Sequence, residues 1–579
     1  MIAPLRIEHR PFCVLKFGSS VLRTEDDYPA AAHEVYRHVR NGEKVVAVVS
    51  ALGGETDALL EQATRVGGGS ACTSIARLAR VGELRSAALM TLALGRIGVQ
   101  ACALDPHEMG LVAQGEPLDA DLAELDAVAV LNRLGSTDVV VVPGFTAGHA
   151  DHGVATLGRG GTDLSAIFFA ARLGASRARL IKDVDGVYAE DPSGNPRALR
   201  FSELCYDEAE RASSGLIQPK AIRAAAAENV LIEIAALGGG EATTIARRPA
   251  RVSVPPSARP LRVALLGCGA VGAGVLAHLR HRPDLFALNP VLVRTPARHA
   301  EAVAFTKVPG EALADDPDLV VELIGGADYP AHMLRDALGR GRHVVTANKS
   351  ALATHWDSLH AAAARGGAML RYSAAVGGGV PILETLSRHL SDVVEIEGVM
   401  NGTANFLLGK LGEGWSFAEA LAEAQALGFA EADPTADVDG HDAADKLSIL
   451  AREAWGAALP VSRIPKASLR DVTPDVARDA LARGEVLKQV GRCRFEPDGR
   501  VFADIRVMAL PQDHPLARPR NEENCFLVRL QDGSVESVFG KGAGRWPTAA
   551  SVLSDIMDVQ RAVARRRAAA ASMPMRLSA

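Results

Sequence analysis

The chain of 579 residues is too long for a single hydrophobic core, so three or four domains are expected. Its formal net charge is −6, from 63 basic and 69 acidic residues, which gives no reason to expect a nucleic acid or an anionic membrane as the main partner. No apolar run has the length of a membrane span, no signal-peptide segment opens the sequence and the seven cysteines form no CxxC pair, which together favour a cytoplasmic protein with reduced thiols.

Short apolar runs alternate with helical stretches in the first half of the chain. The predicted strands are 12–17, 44–50, 138–142, 178–182 and 229–234, and the predicted helices are 27–40, 82–97 and 163–173. Such alternation predicts a mainly parallel sheet covered by helices on both faces. The pattern breaks where glycines, arginines and prolines cluster, which predicts a first domain over 1–247 and a linker over 248–260.

The alternation resumes after the linker, with strands near 262–266, 290–294, 319–324 and 343–346. It predicts a dinucleotide-binding Rossmann domain over 261–370. That this domain is completed by part of 510–557, and that 371–509 form an α+β substrate and dimerisation domain, is implied by a family resemblance of this half of the chain. A last helix is expected from about 548. The tail 558–579 is predicted to be disordered, with its three arginines at a solvated end.

The first group of candidate residues is typical of a site that handles phosphate. Lys16 ends the first predicted strand, and the glycines of Thr156-Leu-Gly-Arg-Gly-Gly-Thr-Asp163 would let the backbone approach an anion closely. Asp163 opens a helix, where a plain N-cap is the alternative interpretation. Lys182 and Asp183 close another strand, at the edge where open α/β sheets bind ligands. No GxxxxGK[ST] sequence is present, which argues against a P-loop kinase.

Residues 12–245 resemble the aspartate kinase branch of the amino-acid kinase family. The resemblance rests on Val48-Val-Ser-Ala-Leu-Gly-Gly-Glu-Thr-Asp57, Gly82-Glu-Leu-Arg-Ser86, the segment ending at Asp163, Lys182-Asp-Val-Asp-Gly-Val-Tyr188 and Gln218-Pro-Lys220. It implies catalytic roles for Lys16 and Asp163 and an aspartate site at Thr56, Glu83 and Arg159, where a guanidinium suits a carboxylate. The implied site for ATP with Mg²⁺ consists of Lys16, Gly18, Ser19, Lys182, Asp183, Asp185, Tyr188 and Lys220.

The opening motif departs from that family. Lys16-Phe-Gly-Ser-Ser-Val21 is one residue shorter than the usual Lys-Phe-Gly-Gly-Thr-Ser-Val. Two alternatives therefore stay open: a degenerate kinase domain that serves as a scaffold for an active dehydrogenase, and a kinase for another amino acid such as glutamate. Gly82-Glu83 and the segment ending at Asp163 argue against the second alternative.

The second group of candidate residues begins with a dinucleotide-binding fingerprint. Gly267-Cys-Gly-Ala-Val-Gly272 follows a predicted strand and precedes a helical run, so Gly267, Gly269, Ala270, Val271 and Gly272 are predicted to face a pyrophosphate. Arg294 ends the next strand and Arg298 follows it. Arginine at this place favours the 2′-phosphate of NADP over NAD, and the alternative is a surface arginine.

A carboxylate and a lysine share a helix face further along. Asp442 and Lys446 are four residues apart, and an exposed ion pair would be the simplest interpretation. The lysine directly precedes the apolar run Leu447-Ser-Ile-Leu450, so we expect it at a buried helix, where it is suited to proton transfer.

Residues 261–557 resemble homoserine dehydrogenases. The resemblance rests on Val321-Glu-Leu-Ile-Gly-Gly326, Val345-Thr-Ala-Asn-Lys-Ser350, Ala375-Val-Gly-Gly-Gly-Val-Pro381, Gly398-Val-Met-Asn-Gly-Thr-Ala-Asn405, Glu431 to Lys446 and Gly540-Lys-Gly-Ala-Gly544. It implies that Lys446 is the proton donor, that Glu431, Asp442 and Lys349 bind the substrate, and that a monovalent cation such as Na⁺ lies near Val376, Gly378 and Val380. The implied cofactor contacts also include Thr346, Lys349, Gly428, Gly542 and Gly544. Ser373 stands where the family usually has glutamate.

The two resemblances together imply the fused aspartokinase–homoserine dehydrogenase family of threonine and methionine biosynthesis, acting on small molecules as a homodimer or tetramer. Its members generally carry ACT-type regulatory modules between the two enzymes. Here the kinase-like pattern ends near 245 and the next strand starts at 262. We therefore expect no inhibition by threonine or lysine through such a module.

Overall fold

The structure is a computed structural model that describes residues 11–67, 72–192, 194–195, 198–213, 215–253, 259–299 and 303–572. The chain divides into two compact units. Unit 1 comprises Met1–Ser257 and Ala564–Ala579, and unit 2 comprises Ala258–Val563. None of the helices in the described ranges is both long and apolar enough to cross a membrane.

Unit 1 alternates strands and helices over most of its length. Its strands are β1 (Phe12–Phe17), β2 (Lys44–Val49), β3 (Ala101–Ala103), β4 (Val112–Glu116), β5 (Asp119–Glu124), β6 (Val139–Pro143), β7 (Thr146–His149), β8 (Gly153–Thr156), β9 (Ala178–Lys182), β10 (Arg200–Leu204), β11 (Ile232–Ala236), β12 (Thr243–Ile245) and β13 (Arg251–Ser253). Its helices are α1 (Tyr28–Arg40), α2 (Glu55–Gly67), α3 (Cys72–Arg96), α4 (Ala127–Ser136), α5 (Gly161–Leu173), α6 (Tyr206–Ala212) and α7 (Pro219–Glu228).

A large sheet runs in the order β13-β10-β12-β11-β9-β1-β2-β6-β3, and β5-β4-β7-β8 form a smaller one. The central strands β9, β1, β2 and β6 are parallel, and Phe17 pairs with both Val49 and Ile181. The carboxyl ends of these strands therefore lie along one edge. Since the inner strands are apolar on both faces, they are fully buried and form the core with the helices.

Unit 2 contains two sheets. Its strands are β14 (Leu261–Leu266), β15 (Phe286–Leu288), β16 (Val291–Leu292), β17 (Phe305–Thr306), β18 (Leu319–Glu322), β19 (His343–Thr346), β20 (Leu370–Arg371), β21 (Val393–Val399), β22 (Glu485–Phe495), β23 (Val501–Pro511), β24 (Glu523–Leu530) and β25 (Val535–Lys541). Its helices are α8 (Ala270–Arg280), α9 (Pro309–Ala312), α10 (Asp328–Gly339), α11 (Lys349–Gly366), α12 (Ile382–Arg388), α13 (Gly402–Gly412), α14 (Phe417–Ala426), α15 (Thr435–Val438), α16 (His441–Trp455), α17 (Pro474–Ala482) and α18 (Arg545–Ser572), whose last residues fall in unit 1.

The first sheet of unit 2 is parallel, with the order β17-β16-β14-β18-β19-β20 and β15 beside β14. The second is antiparallel, with the order β23-β22-β21-β24-β25. Val552 and Ile556 of α18 are buried in one apolar cluster with β14 and α8, so this late helix completes the core around the parallel sheet. The two kinds of sheet confirm the predicted fold class.

Two expectations about connecting segments were wrong. Within the predicted linker 248–260, Arg251–Ser253 pair antiparallel with β10 as an edge strand, held by backbone hydrogen bonds that composition does not reveal; residues 254–258 lie outside the described ranges. The tail predicted to be disordered continues α18 to Ser572, because alanine and arginine have high helix propensity. Residues 573–579 lie outside the described ranges.

Phe526 provides a test of the packing of unit 2. Its ring is fully buried, and a Cβ added at Gly398 would come within 2.7 Å of it. Phe526→Ala should lower the free energy of unfolding of unit 2 by about 3–5 kcal/mol, as expected for a lost core phenylalanine. Tyr329→Ala, at a side chain that is 58% exposed, should change it by less than about 1 kcal/mol.

Urea denaturation followed by tryptophan fluorescence is the measurement, because all four tryptophans lie in unit 2. Equal losses of stability in the two variants would contradict the buried placement of Phe526.

Candidate active sites

Two lysines and one aspartate meet at the carboxyl edge of the large sheet of unit 1. Nζ of Lys16, on β1, lies 2.7 Å from Oδ1 of Asp163. Lys182, at the end of the neighbouring β9, donates to Oδ2 of Asp163 at 2.9 Å. All three side chains are buried, and Asp163 sits in the first turn of α5. The structure thus brings together the three residues at the centre of the predicted phosphate site.

The charges of this cluster do not cancel. Burial alone would raise the pKa of Asp163, but the charges of Lys16 and Lys182 outweigh it and lower that pKa. Burial and the charge of Lys16 lower the pKa of Lys182. One carboxylate between two ammonium groups leaves a net positive charge, which favours an anion at this edge of the sheet.

Glycines give this edge its shape. A Cβ at Gly18 would lie 2.5 Å from Nζ of Lys16, so a larger residue there would require the ammonium group to shift. Gly160 has φ +77° directly before α5, and a Cβ there would lie 2.2 Å from Cγ of Gln218. Glycine at these positions therefore lets the backbone lie closer to the start of α5 than a residue with a side chain would.

Glu83 is a buried carboxyl group on α3. It is 2% exposed, and its Oε2 has no hydrogen-bond partner among the described residues. Burial raises its pKa to about 8. Thr56, in the first turn of α2, is half-buried and Arg159 is exposed. Of the predicted aspartate-binding residues, Glu83 alone has a strongly perturbed environment.

The other predicted ATP-binding residues lie outside the Lys16–Asp163–Lys182 cluster. Ser19 and Asp183 are exposed. The Tyr188 hydroxyl donates to Oδ1 of Asp185 at 2.5 Å, and Lys220 forms an ion pair with Asp121 at 2.9 Å.

Arg200 was missed by sequence reasoning. Its side chain is 1% exposed, and it donates to Oδ2 of Asp185 at 3.3 Å and to Glu241 at 2.9 Å. Arg200 thus fixes the loop after β9 that carries Asp185. It lies in no recognisable motif, and no sequence signal separates it from a surface arginine.

In unit 2, the glycine-rich segment forms the turn between β14 and α8. Gly267 has φ +102°, and a Cβ at Gly272 would lie 2.2 Å from the carbonyl oxygen of Gly267. A Cβ at Gly269 would have no neighbour within 4 Å. Ala270 is exposed and Val271 half-buried at the start of α8. The turn therefore leaves open space at a helix N-terminus, which suits a pyrophosphate.

A buried carboxylate organises the neighbouring loops. Glu322 ends β18 and is fully buried; it accepts from the Thr346 hydroxyl at 2.6 Å and from the backbone N–H of Ile324 at 2.7 Å. Asn348 donates to the carbonyl of Gly326 at 2.7 Å. Thr346, predicted as a cofactor contact, is itself fully buried with its hydroxyl engaged by Glu322. Sequence reasoning did not single out Glu322.

Asp442 lies between two lysines, in the first turn of α16. Lys446 donates to its Oδ2 at 2.7 Å and to the carbonyl of Met400 at 2.6 Å. Nζ of Lys349, at the start of α11, lies 3.0 Å from Oδ1. Burial alone would raise the pKa of Asp442, but Lys446 and Lys349 lower it, and Asp442 in turn raises the pKa of Lys349. The surface ion pair considered for Asp442 and Lys446 is excluded, since both are buried.

Asn401 supports this cluster and was also missed. Its side-chain amide donates to Asp442 at 2.9 Å and to Asp437 at 2.7 Å, and its oxygen accepts from the backbone of Ala404 at the start of α13. Burial raises the pKa of Asp437, which also accepts from the Thr403 hydroxyl. Asparagine before a helical run is an ordinary N-cap signal, so its second role had no separate signature.

Several predicted residues are placed apart from the lysines. Glu431 is exposed, and no hydrogen bond or ion pair joins its carboxylate to Lys446 or Asp442 in the described part of the chain. Gly428 and Arg294 are exposed, and Gly544, with φ +110°, directly precedes α18. Gly542 packs against Asn524, where a Cβ would overlap the side-chain amide.

The predicted cation segment forms a buried turn. Val376 and Val380 are buried, and a Cβ at Gly378 would lie 2.4 Å from the carbonyl oxygen of Gly542. Ser373 donates its hydroxyl hydrogen to Oδ1 of Asp555 at 2.8 Å, so this side chain is engaged by α18.

Unit 2 thus combines a glycine-rich strand–helix turn with a buried Lys349–Asp442–Lys446 cluster, and unit 1 carries the Lys16–Asp163–Lys182 cluster. Residues 381–557 match the family model described as "Homoserine dehydrogenase", and residues 267–373 match its NAD-binding domain. Residues 11–235 match the "Amino acid kinase family".

Similar proteins agree with the homoserine dehydrogenase matches. Homoserine dehydrogenase of Lactococcus lactis subsp. lactis is 37% identical over 318 residues, which cover 52% of this chain and 74% of that protein. Homoserine dehydrogenase of Bacillus subtilis is 36% identical over 323 residues, which cover 52% of this chain and 73% of that protein. The crystal structure of a homoserine dehydrogenase from Thiobacillus denitrificans matches at 32% identity and a TM-score of 0.51, over 55% of this chain and 76% of that chain.

The chain belongs to the homoserine dehydrogenase family, and an amino-acid kinase domain precedes its dehydrogenase domains. Both resemblances inferred from the sequence are thereby confirmed at the level of the domains.

The glycine-rich turn provides a matched pair of variants. Gly272→Ala should destabilise unit 2 and abolish binding of a nicotinamide dinucleotide, because the new methyl group would meet the Gly267 carbonyl oxygen at 2.2 Å. Gly269→Ala should leave the unfolding midpoint in urea unchanged, since its Cβ would have no neighbour within 4 Å. Tryptophan fluorescence reports unfolding, and its quenching during titration with NADH or NADPH reports binding of the dinucleotide. Equal stability of the two variants would contradict the turn geometry.

Proposed function

We propose that unit 1 phosphorylates L-aspartate with ATP to give 4-phospho-L-aspartate, and that unit 2 reduces L-aspartate 4-semialdehyde with NADPH to L-homoserine. The observation that carries the reduction is the buried Asp442 between Lys446 and Lys349, which begins a helix after β19 of the parallel sheet that also carries a dinucleotide-type turn. The buried Lys16–Asp163–Lys182 cluster carries the phosphorylation. The family supports the reduction, and the kinase domain supports the phosphorylation.

In the reduction, bound NADPH supplies the hydride. Lys446 donates a proton to the aldehyde oxygen, which becomes the hydroxyl group of the product alcohol. Asp442 accepts a hydrogen bond from Lys446 and fixes the direction of its ammonium group, because both side chains are buried and 2.7 Å apart. Lys349 is placed to hold the substrate, and Glu431 would have to turn inward from its exposed position to meet the substrate's amino group.

In the phosphorylation, the side-chain carboxylate of aspartate attacks the γ-phosphorus of ATP and ADP leaves. Lys16 and Lys182 stabilise the charge on the transferred phosphoryl group. Both oxygens of Asp163 are occupied by the two lysines, so we assign it the role of orienting them. Asp183 is exposed, with a carboxylate available to Mg²⁺ bound to the phosphates.

The finer cofactor assignments rest on local features. Arg294 is exposed two residues after β16, where a guanidinium suits the 2′-phosphate of NADP. A monovalent cation such as Na⁺ would be held by backbone carbonyls of the turn around Val376, Gly378 and Val380, without the Ser373 hydroxyl, which donates to Asp555.

We further propose a cytoplasmic homodimer or tetramer. Phe502 and Met508 are exposed on one face of β23, and we take this face of the antiparallel sheet as the surface for self-association. Between β13, which ends at Ser253, and β14, which begins at Leu261, an ACT-type module has no room, so threonine and lysine should not inhibit either unit through such a module at this junction.

The alternative is an active dehydrogenase with a degenerate kinase domain as a scaffold. The shortened loop after Lys16 favours it. The intact Lys16–Asp163–Lys182 cluster and the open glycine-rich start of α5 favour an active kinase.

Variants of single lysines distinguish an active kinase domain from a scaffold. Lys446→Ala should lower semialdehyde reduction by about 10²–10⁴-fold, as for a lost general acid, and leave aspartyl phosphate formation intact. Lys16→Ala should lower aspartyl phosphate formation and leave semialdehyde reduction intact. The assays are NADPH oxidation and ATP-dependent hydroxamate formation from aspartate. Wild-type protein that reduces the semialdehyde but forms no hydroxamate would identify the scaffold, and loss of neither activity would refute both assignments.

Glu83 should make the stability of unit 1 depend on pH. Its folded pKa of about 8 lies above its ordinary value of 4.5, so its contribution to stability is fully present below pH 4.5 and is lost as the pH rises through 8. Glu83→Gln should therefore unfold at a higher temperature than wild type at pH 9, with a raised KM for aspartate.

Calorimetry at several pH values tests this prediction. The transition to follow is that of unit 1, which contains no tryptophan and therefore does not show in tryptophan fluorescence. Glu61→Gln, at an exposed site on α2, is the control and should behave like wild type. An unchanged pH dependence in Glu83→Gln would disprove the buried, protonated state of Glu83.

A further inference from the structure

Unit 2 contains a cavity formed by residues other than the Lys349–Asp442–Lys446 cluster. Its volume is about 870 Å³, and it lies among α13, α17, the start of β22 and the segment 512–521. That volume is in the range of small-molecule sites. None of the residues assigned above to substrate or cofactor lines it.

The lining of this cavity is strongly basic. Lys410, Lys488, Arg518 and Arg520 face it, against the single carboxylate of Glu413. Lys410 pairs with Glu413 at 2.7 Å, so these two charges cancel. The remaining three cations form no ion pair with any described residue; the Arg518 guanidinium lies over the Phe539 ring.

Lys488 is the unusual member, because it is only 7% exposed. Its ammonium group donates to the carbonyl of Pro519 and has no carboxylate partner among the described residues. Burial and the charge of Arg520 lower the pKa of Lys488 to about 8, with a small opposing effect from Glu523. A buried ammonium group without a counter-ion costs free energy, and an anion in the cavity would recover it.

We propose that this cavity binds a small anion with at least two negative charges, such as a dicarboxylate or a phosphate compound, through Lys488, Arg518 and Arg520. Two or more negative charges match the three unpaired cations. The amides of Gln512 and Asn521 also line the cavity and add hydrogen-bonding groups for the oxygens of such an anion.

The cavity is connected to the candidate catalytic centre by α13. This helix lines the cavity from Asn405 to Gly412, and its N-cap is Asn401, which donates to both Asp442 and Asp437. A ligand that shifts α13 would change the position of Asn401 and hence of Asp442. The anion is therefore proposed to regulate the reduction, and this part rests on the function proposed for unit 2.

Calorimetric titration of the full chain with succinate and, separately, with inorganic phosphate tests the binding without relying on catalysis. Lys488→Met, which keeps the volume of the side chain and removes its charge, should weaken binding of at least one probe by tenfold or more. Arg520→Gln, at an exposed residue whose loss should not affect folding, should do the same. Arg478→Gln, on α17 outside the cavity lining, is the charge-matched control and should bind like wild type.

The outcomes separate the ligand classes and the two proposals. Loss of succinate binding alone identifies a carboxylate ligand, and loss of phosphate binding alone identifies a phosphate ligand. Equal binding by wild type, Lys488→Met and Arg520→Gln would overturn the site, because binding would then occur elsewhere.

A saturating probe should change the KM for the semialdehyde at least twofold in wild type and not in Lys488→Met. Binding without that change would overturn the regulatory role alone, and a chain that binds the probe but does not reduce the semialdehyde would contradict the proposed function instead.

Discussion

A buried aspartate held between two lysines is the interaction on which both candidate centres depend. Asp163 lies between Lys16 and Lys182, and Asp442 lies between Lys349 and Lys446. Each aspartate occupies the first turn of a helix, where the helix dipole also favours its negative charge. Removal of the aspartate would leave two ammonium groups in a poorly solvated place, so the carboxylate makes the concentration of positive charge possible.

The two units build this arrangement from different elements. In unit 1 the lysines come from neighbouring parallel strands, and their spacing follows from the sheet register. In unit 2 one lysine follows the aspartate by four residues on the same helix, and the other begins a helix after β19. A glycine with positive φ precedes the helix in both, Gly160 and Gly440, which lets the chain turn sharply into the helix start. The similarity is therefore one of electrostatics and helix geometry.

Sequence reasoning reached the groups whose partners lie close along the chain or at strand ends. Asp442 and Lys446 share a helix face by spacing alone, and Lys16 and Lys182 end strands that a parallel sheet must align. Asn401 and Glu322 were not singled out, because their roles arise from contacts 36 and 41 residues away, and 24 residues away, respectively. The edge strand β13 and the end of α18 were missed because backbone pairing and helix propensity outweighed a composition typical of linkers and tails.

The short connection between β13 and β14 has a consequence at the level of the cell. Since one polypeptide carries both units, they are synthesised in a fixed one-to-one ratio. The amount of messenger RNA translated therefore sets the supply of both units together, whatever acts on either site afterwards.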